Sequence, residues 1–210
     1  YRKGDLEQAE KYLVDAAARL PMNSEIQDHL GDVYAKRGRL QEAEALAARL
    51  SQANPGVATT LLVCEIEEQR PDLAKALDLV TTALAREGEH GALQLKRAQV
   101  LMALRRRAEG FAAAERAIEL ADPEPWLLET VASMYMQTND PGRAKALLNR
   151  ALERAPDDPT LLYRTALSHF YLNETEQADA LLARVLEIAP GNGYAWHIRS
   201  QLATQTNDAN

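Results

Sequence analysis

Side chains able to do chemistry are few in this chain and do not assemble into a centre. His29, His90, His169 and His197 are far apart in sequence, and neither a His-Glu-x-x-His nor a Cys-x-x-Cys spacing is present, so no local set of metal ligands forms. Cys64 is the only cysteine, which rules out an intrachain disulfide. No nucleophile elbow or phosphate-cradling glycine loop occurs, and Gly191, Asn192 and Gly193 read as a bend. Acidic pairs such as Glu67 and Glu68 suit solvated helix faces. No cofactor, metal or catalytic residue is expected, and the chain is read as a non-enzyme.

Composition narrows the partners. The net charge of −7 and pI near 5.2 oppose nucleic-acid binding, which depends on Lys and Arg displacing counterions from phosphates. Arg105, Arg106 and Arg107 form a basic run too short to reverse that balance. No apolar stretch approaches the roughly 20 residues of a membrane-spanning helix, so membrane insertion by this segment is not expected. Arg outnumbers Lys 18 to 6 in an Ala- and Leu-rich chain, a bias that goes with high-GC bacterial genomes. The expectation is a soluble bacterial protein, of cytoplasm or periplasm.

The elements that must position any site come from a repeat. Ala9, Ala43, Ala76, Gly110, Ala144 and Ala178 are spaced 34, 33, 34, 34 and 34 residues apart. Leu13, Ala47, Val80, Ala114, Leu148 and Leu182 follow in the same register, and so do Ala16, Leu50, Ala83, Ala117, Ala151 and Val185. Within a unit the apolar sites fall at i, i+3, i+4 and i+7, as in Ala144, Leu147, Leu148 and Ala151, which is one face of a helix. A second helix lies upstream of each, clearest in Leu128, Val131, Ala132 and Tyr135.

Short polar turns separate the two helices, including Arg37-Gly38-Arg39 and Thr138-Asn139-Asp140-Pro141, where Pro141 suits a first helical position. Each unit closes on a breaker: Pro21, Pro55, Gly88, the pair Asp122 and Pro123, Pro156 and Pro190. Small residues such as Gly31 and Ala43 are expected to let paired helices approach closely. Cys64 shares its register position with Gly31, Ala98, Ala132 and Ala166 and is assigned to packing; His169 shares one with Tyr34 and Tyr135 and is assigned to the core.

Leu30-Gly31, Tyr34, Gly38, Ala43 and Pro55 carry a pattern that resembles the tetratricopeptide repeat family, and the resemblance covers essentially the whole chain. It implies an all-α, right-handed superhelical solenoid of antiparallel helix pairs, about six repeats with half repeats at both ends. The expected organisation is one array over 1–210: a second helix over 1–22, repeats 23–56, 57–90, 91–124, 125–158 and 159–192, and a final helix over 193–206. Arg97, Gly110, Glu67 and Gly88 depart from the pattern, making 57–120 the expected weak link. Gly110→Ala is expected to stabilise by about 0.5–1 kcal/mol if the added methyl fits.

The resemblance further implies that the first helices line a concave groove. Taking the helix at 125–138 as template, with Trp126, Glu129, Ser133, Met136 and Gln137 on its open face, the groove reads acidic first, through Glu25, Asp28, Asp32, Leu61, Glu65 and Glu68. It ends aromatic, through Trp126, Tyr163, Phe170, Tyr171, Tyr194 and His197. Chaperone-binding members of that family hold a C-terminal carboxylate with Lys, Arg and Asn, whereas Asp28, Asp32 and Glu65 stand at the corresponding sites here. A carboxylate clamp is therefore not expected. The function implied is a scaffold that binds a peptide or protein partner in the groove. Its alternative is a structural segment of a larger bacterial envelope or secretion assembly, such as exopolysaccharide export. Half repeats would leave apolar surface uncovered, so self-association through the exposed ends is also expected.

Overall fold

A computed structural model describes residues 3–21, 23–53, 56–70, 72–120 and 123–208. Among these residues there are twelve α-helices and no strand. They are α1 (Lys3–Arg19), α2 (Ser24–Lys36), α3 (Leu40–Ala53), α4 (Val57–Gln69), α5 (Leu73–Glu87), α6 (Gly91–Ala103), α7 (Arg107–Leu120), α8 (Pro125–Gln137), α9 (Pro141–Arg154), α10 (Pro159–Tyr171), α11 (Thr175–Ile188) and α12 (Gly193–Asp208). Tyr1, Pro55 and Asp122, to which the sequence assigns an end and two breakers, lie outside the described residues. None of the described helices is long and apolar enough to cross a membrane.

Local chemistry fixes where the helices start. Asn23, Asp72, Asp140 and Asp158 each place a side-chain oxygen on a first-turn N–H, satisfying donors that have no intrahelical partner. Pro125, Pro141 and Pro159 occupy first helical positions, where a missing N–H costs nothing.

One turn recurs between the first and second helices of every pair. The N–H of Arg39, Asp72, Arg106, Asp140 and Glu174 bonds to the carbonyl five residues earlier, on Tyr34, Glu67, Leu101, Tyr135 and His169, at 2.8–3.0 Å. At Arg39, Arg106, Asp140 and Glu174 this is the closing bond of a Schellman motif, with a left-handed residue just before the donor. Gly38 (φ 75°), Arg105 (φ 62°), Asn139 (φ 62°) and Asn173 (φ 58°) supply it. Glycine and asparagine adopt this conformation readily, whereas at Arg105 the Cβ opposes it.

The contacts divide the chain into two compact units, Tyr1–Ala121 and Asp122–Asn210, each with its own core. In the first, Leu30, Ala43, Leu46, Ala47, Leu50, Leu62 and Ile66 form one buried cluster, and Cys64, Ala76, Val80, Ala83, Leu93 and Val100 another. In the second, Leu162, Ala166, Ala178, Leu182, Val185, Ala195, Ile198 and Leu202 pack together. The repeated small-residue stripe is thus the core stripe, as its period predicts. Cys64 is fully buried, donates to the Ala76 carbonyl at 3.5 Å, and has its thiol pushed up to about 11 by burial.

Two glycines behave differently from the sequence expectation. A Cβ at Gly31 would lie 2.5 Å from Leu62 Cδ2, so the close approach it permits is to α4 of the following repeat rather than to its own paired helix. A Cβ at Gly110 would lie 3.0 Å from Met102 Cγ and Sδ and 3.3 Å from the Ala98 carbonyl oxygen. The methyl meets backbone as well as a side chain, and the helix-propensity gain of about 0.5–1 kcal/mol is opposed by that crowding.

The departures over 57–120 carry buried polar groups. Glu67, 5% exposed, pairs with Lys75 at 2.5 Å, while Gln94 Oε1 and Arg97 Nε are buried with no hydrogen-bond partner among the described residues. Each such orphan costs about 1–3 kcal/mol. Native-state hydrogen exchange should therefore show α4–α7 opening at lower free energy than α8–α11; equal protection in both stretches is the contrary result. Arg105→Gly should raise stability by about 0.5–1 kcal/mol, the relief of left-handed strain less the added entropy of glycine. Urea unfolding of the two chains checks it, and an unchanged or lowered midpoint would contradict the strain assignment.

Candidate functional site

The sequence-predicted groove residues all lie on first helices and divide between the two units. Glu25, Asp28, Asp32, Leu61, Glu65 and Glu68 belong to α2 and α4 of the first; Trp126, Glu129, Ser133, Met136, Tyr163, Phe170, Tyr171, Tyr194 and His197 belong to α8, α10 and α12 of the second.

Several predicted acids already have partners. Lys96 on α6 reaches back to α4, placing Nζ 3.1 Å from Glu65 and 3.3 Å from Glu68. Burial, the largest influence on the Lys96 ammonium, lowers its pKa, but Glu68 and Glu65 together outweigh it and the net direction is upward. Burial raises the Glu68 carboxyl against the pull of Lys96. Asp32 pairs with Lys36 at 2.7 Å. In the second unit the same device recurs two repeats on. Arg164 of α10 reaches α8, with Nε 2.6 Å from Glu129 and a terminal nitrogen donating to Ser133 Oγ at 2.8 Å.

What remains acidic and open is the start of α2. Glu25 and Asp28, with Ser24 and His29, line a cleft of about 390 Å³ against the first turn of α4. Asp28 Oδ1 is buried without a hydrogen-bond partner, and burial raises its pKa while His29 lowers it.

The second unit presents aromatic surface. Tyr163 and Tyr194 stand 6.3 Å apart at 51°, and Phe170 and Tyr171 5.7 Å apart at 69°. Tyr163 and Phe170 pack one side against the core, whereas Tyr171 and Tyr194 are 57% and 76% exposed. The Tyr163 phenol is raised by burial, then by Tyr171 and Tyr194, and lowered by Arg164. Trp126 is exposed on α8, Met136 is half-buried, and His197 is exposed with Nε2 3.3 Å from Gln201. Leu61 packs partly against the core.

His169 is largely buried and its Nδ1 meets the Glu174 carboxylate, which Lys145 also holds at 2.6 Å. Glu174 is lowered by the Lys145 bond first, against burial, with His169 adding to the lowering. Sequence reasoning missed Lys96, Arg164 and Trp196. Lys96 and Arg164 fall two periods apart at one register position, 31 residues after Glu65 and Ser133, so their shared reach was present in the spacing.

Antiparallel helix pairs of nearly constant length, packed on one another within each unit, define a helical-repeat protein. The chain belongs to the tetratricopeptide repeat family, whose sequence profile matches residues 1–60 and 135–202, more than half of it. Solved structures with the same fold include a thermophilic TPR protein of Thermus thermophilus (23% identity, 80% of this chain and 92% of that one, TM-score 0.68). Pseudomonas aeruginosa pilF is similar over 98% of this chain and 87% of its own, at 15% identity and TM-score 0.70. YrrB, a TPR protein with an unusual peptide-binding site, is similar over 90% of this chain and 97% of its own, at 16% identity and TM-score 0.61. No curated protein matches the sequence. Proteins of this family are protein-interaction scaffolds, and this chain is of that class.

The Lys96 cluster generates a pH-dependent expectation. Lys96→Met leaves Glu65 and Glu68 facing each other, and should cost about 2 kcal/mol at pH 7, below the roughly 3–5 for fully buried pairs because both acids keep some solvent contact. Repulsion and burial raise carboxyl pKa values in the folded variant above their unfolded ones, so its folded state binds the extra protons. The deficit should shrink as pH falls through the carboxylate range. Urea unfolding of both chains at pH 7 and pH 4.5 measures this; a deficit independent of pH would assign Lys96 to packing alone.

Proposed function

We propose that the chain binds an extended or helical peptide segment of a protein partner on the first-helix faces, with the aromatic surface of α10 and α12 as the anchoring site. The observation that carries this reading is the set of four rings, Tyr163, Phe170, Tyr171 and Tyr194, two held against the core and two largely in water. Half-anchored tyrosines give large contact area at small entropic cost, and interfaces are enriched in them. A protein of the same fold, YrrB, has a peptide-binding site, which is compatible with this use of the scaffold.

Electrostatics supports a subsidiary role for the first unit. With Glu65, Glu68 and Asp32 engaged by lysines, Glu25 and Asp28 are the groove acids left to meet a basic segment of a partner, acting on association rate more than on affinity. The 34-residue interval from Gly110 to Ala144 keeps the period unbroken, which supports reading residues 1–210 as one array.

A random peptide library displayed on phage and panned against the immobilised chain tests the assignment. Enriched peptides should share an apolar or aromatic anchor. Tyr163→Ala or Tyr194→Ala should weaken them about thirtyfold, a loss typical of an aromatic anchor at an interface. Arg150→Ala, an exposed change on α9, should leave affinity unaltered, and circular dichroism should show the same helicity in all variants. Peptides that bind the tyrosine variants as tightly as the parent chain would remove the site from α10 and α12.

A further inference from the structure

Hydrogen-bonding groups set the aromatic face of α10 apart from an ordinary apolar patch. Tyr163 and Tyr171 of α10 and Tyr194 of α12 each carry a phenolic hydroxyl, and none of the three bonds to another described residue. Burial raises the Tyr163 phenol most, and Tyr171 and Tyr194 raise it further, which puts the three hydroxyls in one neighbourhood. The openness of this face is a property of α10. That helix packs on α9, α11 and α12 and is tied to α8 through Arg164, and with all these neighbours in place Tyr171 is still 57% exposed.

Charge and spacing narrow what can sit there. Both charged or titratable groups of α10 besides its tyrosines are engaged, Arg164 by Glu129 and Ser133 and His169 by Glu174. A charged segment would lose hydration here without gaining an ion pair, so the complementary occupant is uncharged. Tyr163 and Phe170 stand seven residues apart on one face of α10, about 10.5 Å along its axis. A polyproline II segment returns to one face every three residues, or about 9.3 Å, close to that interval. A β-strand returns every two residues, about 6.6 Å, and misses it. An α-helical segment matches the spacing, but its carbonyls are bonded internally and would cover the hydroxyls without satisfying them.

We propose that the occupant of this face is an uncharged, proline-rich segment of a protein partner in the polyproline II conformation, with pyrrolidine rings on Tyr163 and Phe170 and carbonyls accepting from the tyrosine hydroxyls. The inference rests on the anchoring site proposed above and names the chemistry of what it holds. A polyproline II chain has no internal hydrogen bonds, and proline adds a carbonyl without an N–H, so such a segment calls for donors alone. Three phenolic hydroxyls supply donors, and the tilted rings beside them supply the aromatic surface on which polyproline II segments dock. The conformation is also largely set before binding, so little entropy is lost in seating it.

The experiment titrates the 210-residue chain by calorimetry with three end-capped synthetic peptides: decaproline, an alanine-based helical peptide with Leu at i, i+3, i+4 and i+7, and an alternating Thr-Val peptide. Decaproline should bind with a Kd below about 1 mM, and more tightly than the other two. The double variant Tyr163→Phe with Tyr171→Phe keeps both rings and removes two hydroxyls, and it should weaken decaproline about tenfold with helicity by circular dichroism unchanged. Decaproline that fails to saturate the parent chain by about 2 mM, or that binds the double variant as tightly as the parent, overturns the proposal. If the helical or alternating peptide binds instead and Tyr163→Ala abolishes it, the anchoring site stands and only the polyproline occupant falls. Decaproline binding that Tyr163→Ala leaves unchanged removes the site from α10 and the occupant with it.

Discussion

Everything in this structure depends on one constraint: an amphipathic helix pair has more apolar surface than it can bury by itself, so each helix owes its burial to the next. The stripe at Ala43, Ala76, Ala144 and Ala178 is at 0% exposure only because neighbouring first helices close over it. Small side chains there keep the helices close, and the Schellman turns keep their antiparallel return uniform. Where the turn residue or the stripe residue changes, as at Arg105 and Gly110, the local geometry persists: Arg105 takes the left-handed conformation, and Met102 occupies the space a Cβ at Gly110 would need.

The same constraint explains why charge appears in the interfaces between first helices. An apolar stripe about 100° wide leaves the flanks of each helix polar, and within each unit flanks of neighbouring first helices come together, as those of α4 and α6 do. Lys96 meeting Glu65 and Glu68, and Arg164 meeting Glu129 and Ser133, solve this by pairing across that seam. Desolvation offsets much of the attraction in such pairs. The pairs also neutralise acids on the first-helix faces of each unit.

Helix number, pairing, capping and the core stripe are legible in the sequence because they rest on period and residue size, which are one-dimensional properties. Pro141 at a first helical position and the burial of Cys64 are of this kind. Legibility fails where an outcome depends on a side chain about 30 residues away, as the reach of Lys96 and Arg164 to the preceding first helix shows. Glu65 and Glu129 read as open groove acids because a scan of one helix face does not show the cation arriving from the next first helix. Gly31 reads as serving its own helix pair, whereas its space is taken by Leu62, since small residues announce a close approach without naming what approaches. Trp196 shares its register position with the buried Leu128 and Leu162, and only the packed helices show that it is 54% exposed.

Burial at one edge of each ring is what separates the α10 and α12 aromatics from ordinary exposed residues. A tyrosine free on all sides loses rotamer freedom on binding, and that loss offsets part of the favourable energy of docking. Tyr163 and Phe170 have already lost it by packing against Leu182, Val185 and their neighbours, and they in turn flank Tyr194 and Tyr171. The acids of α2 have no such support, as Glu25 is exposed and Asp28 is held by burial rather than by bonds. Rigid apolar anchors in one unit and unanchored charge in the other are suited to different tasks. Under the proposed function the first would serve to retain a bound segment, and the second to attract a basic one before contact.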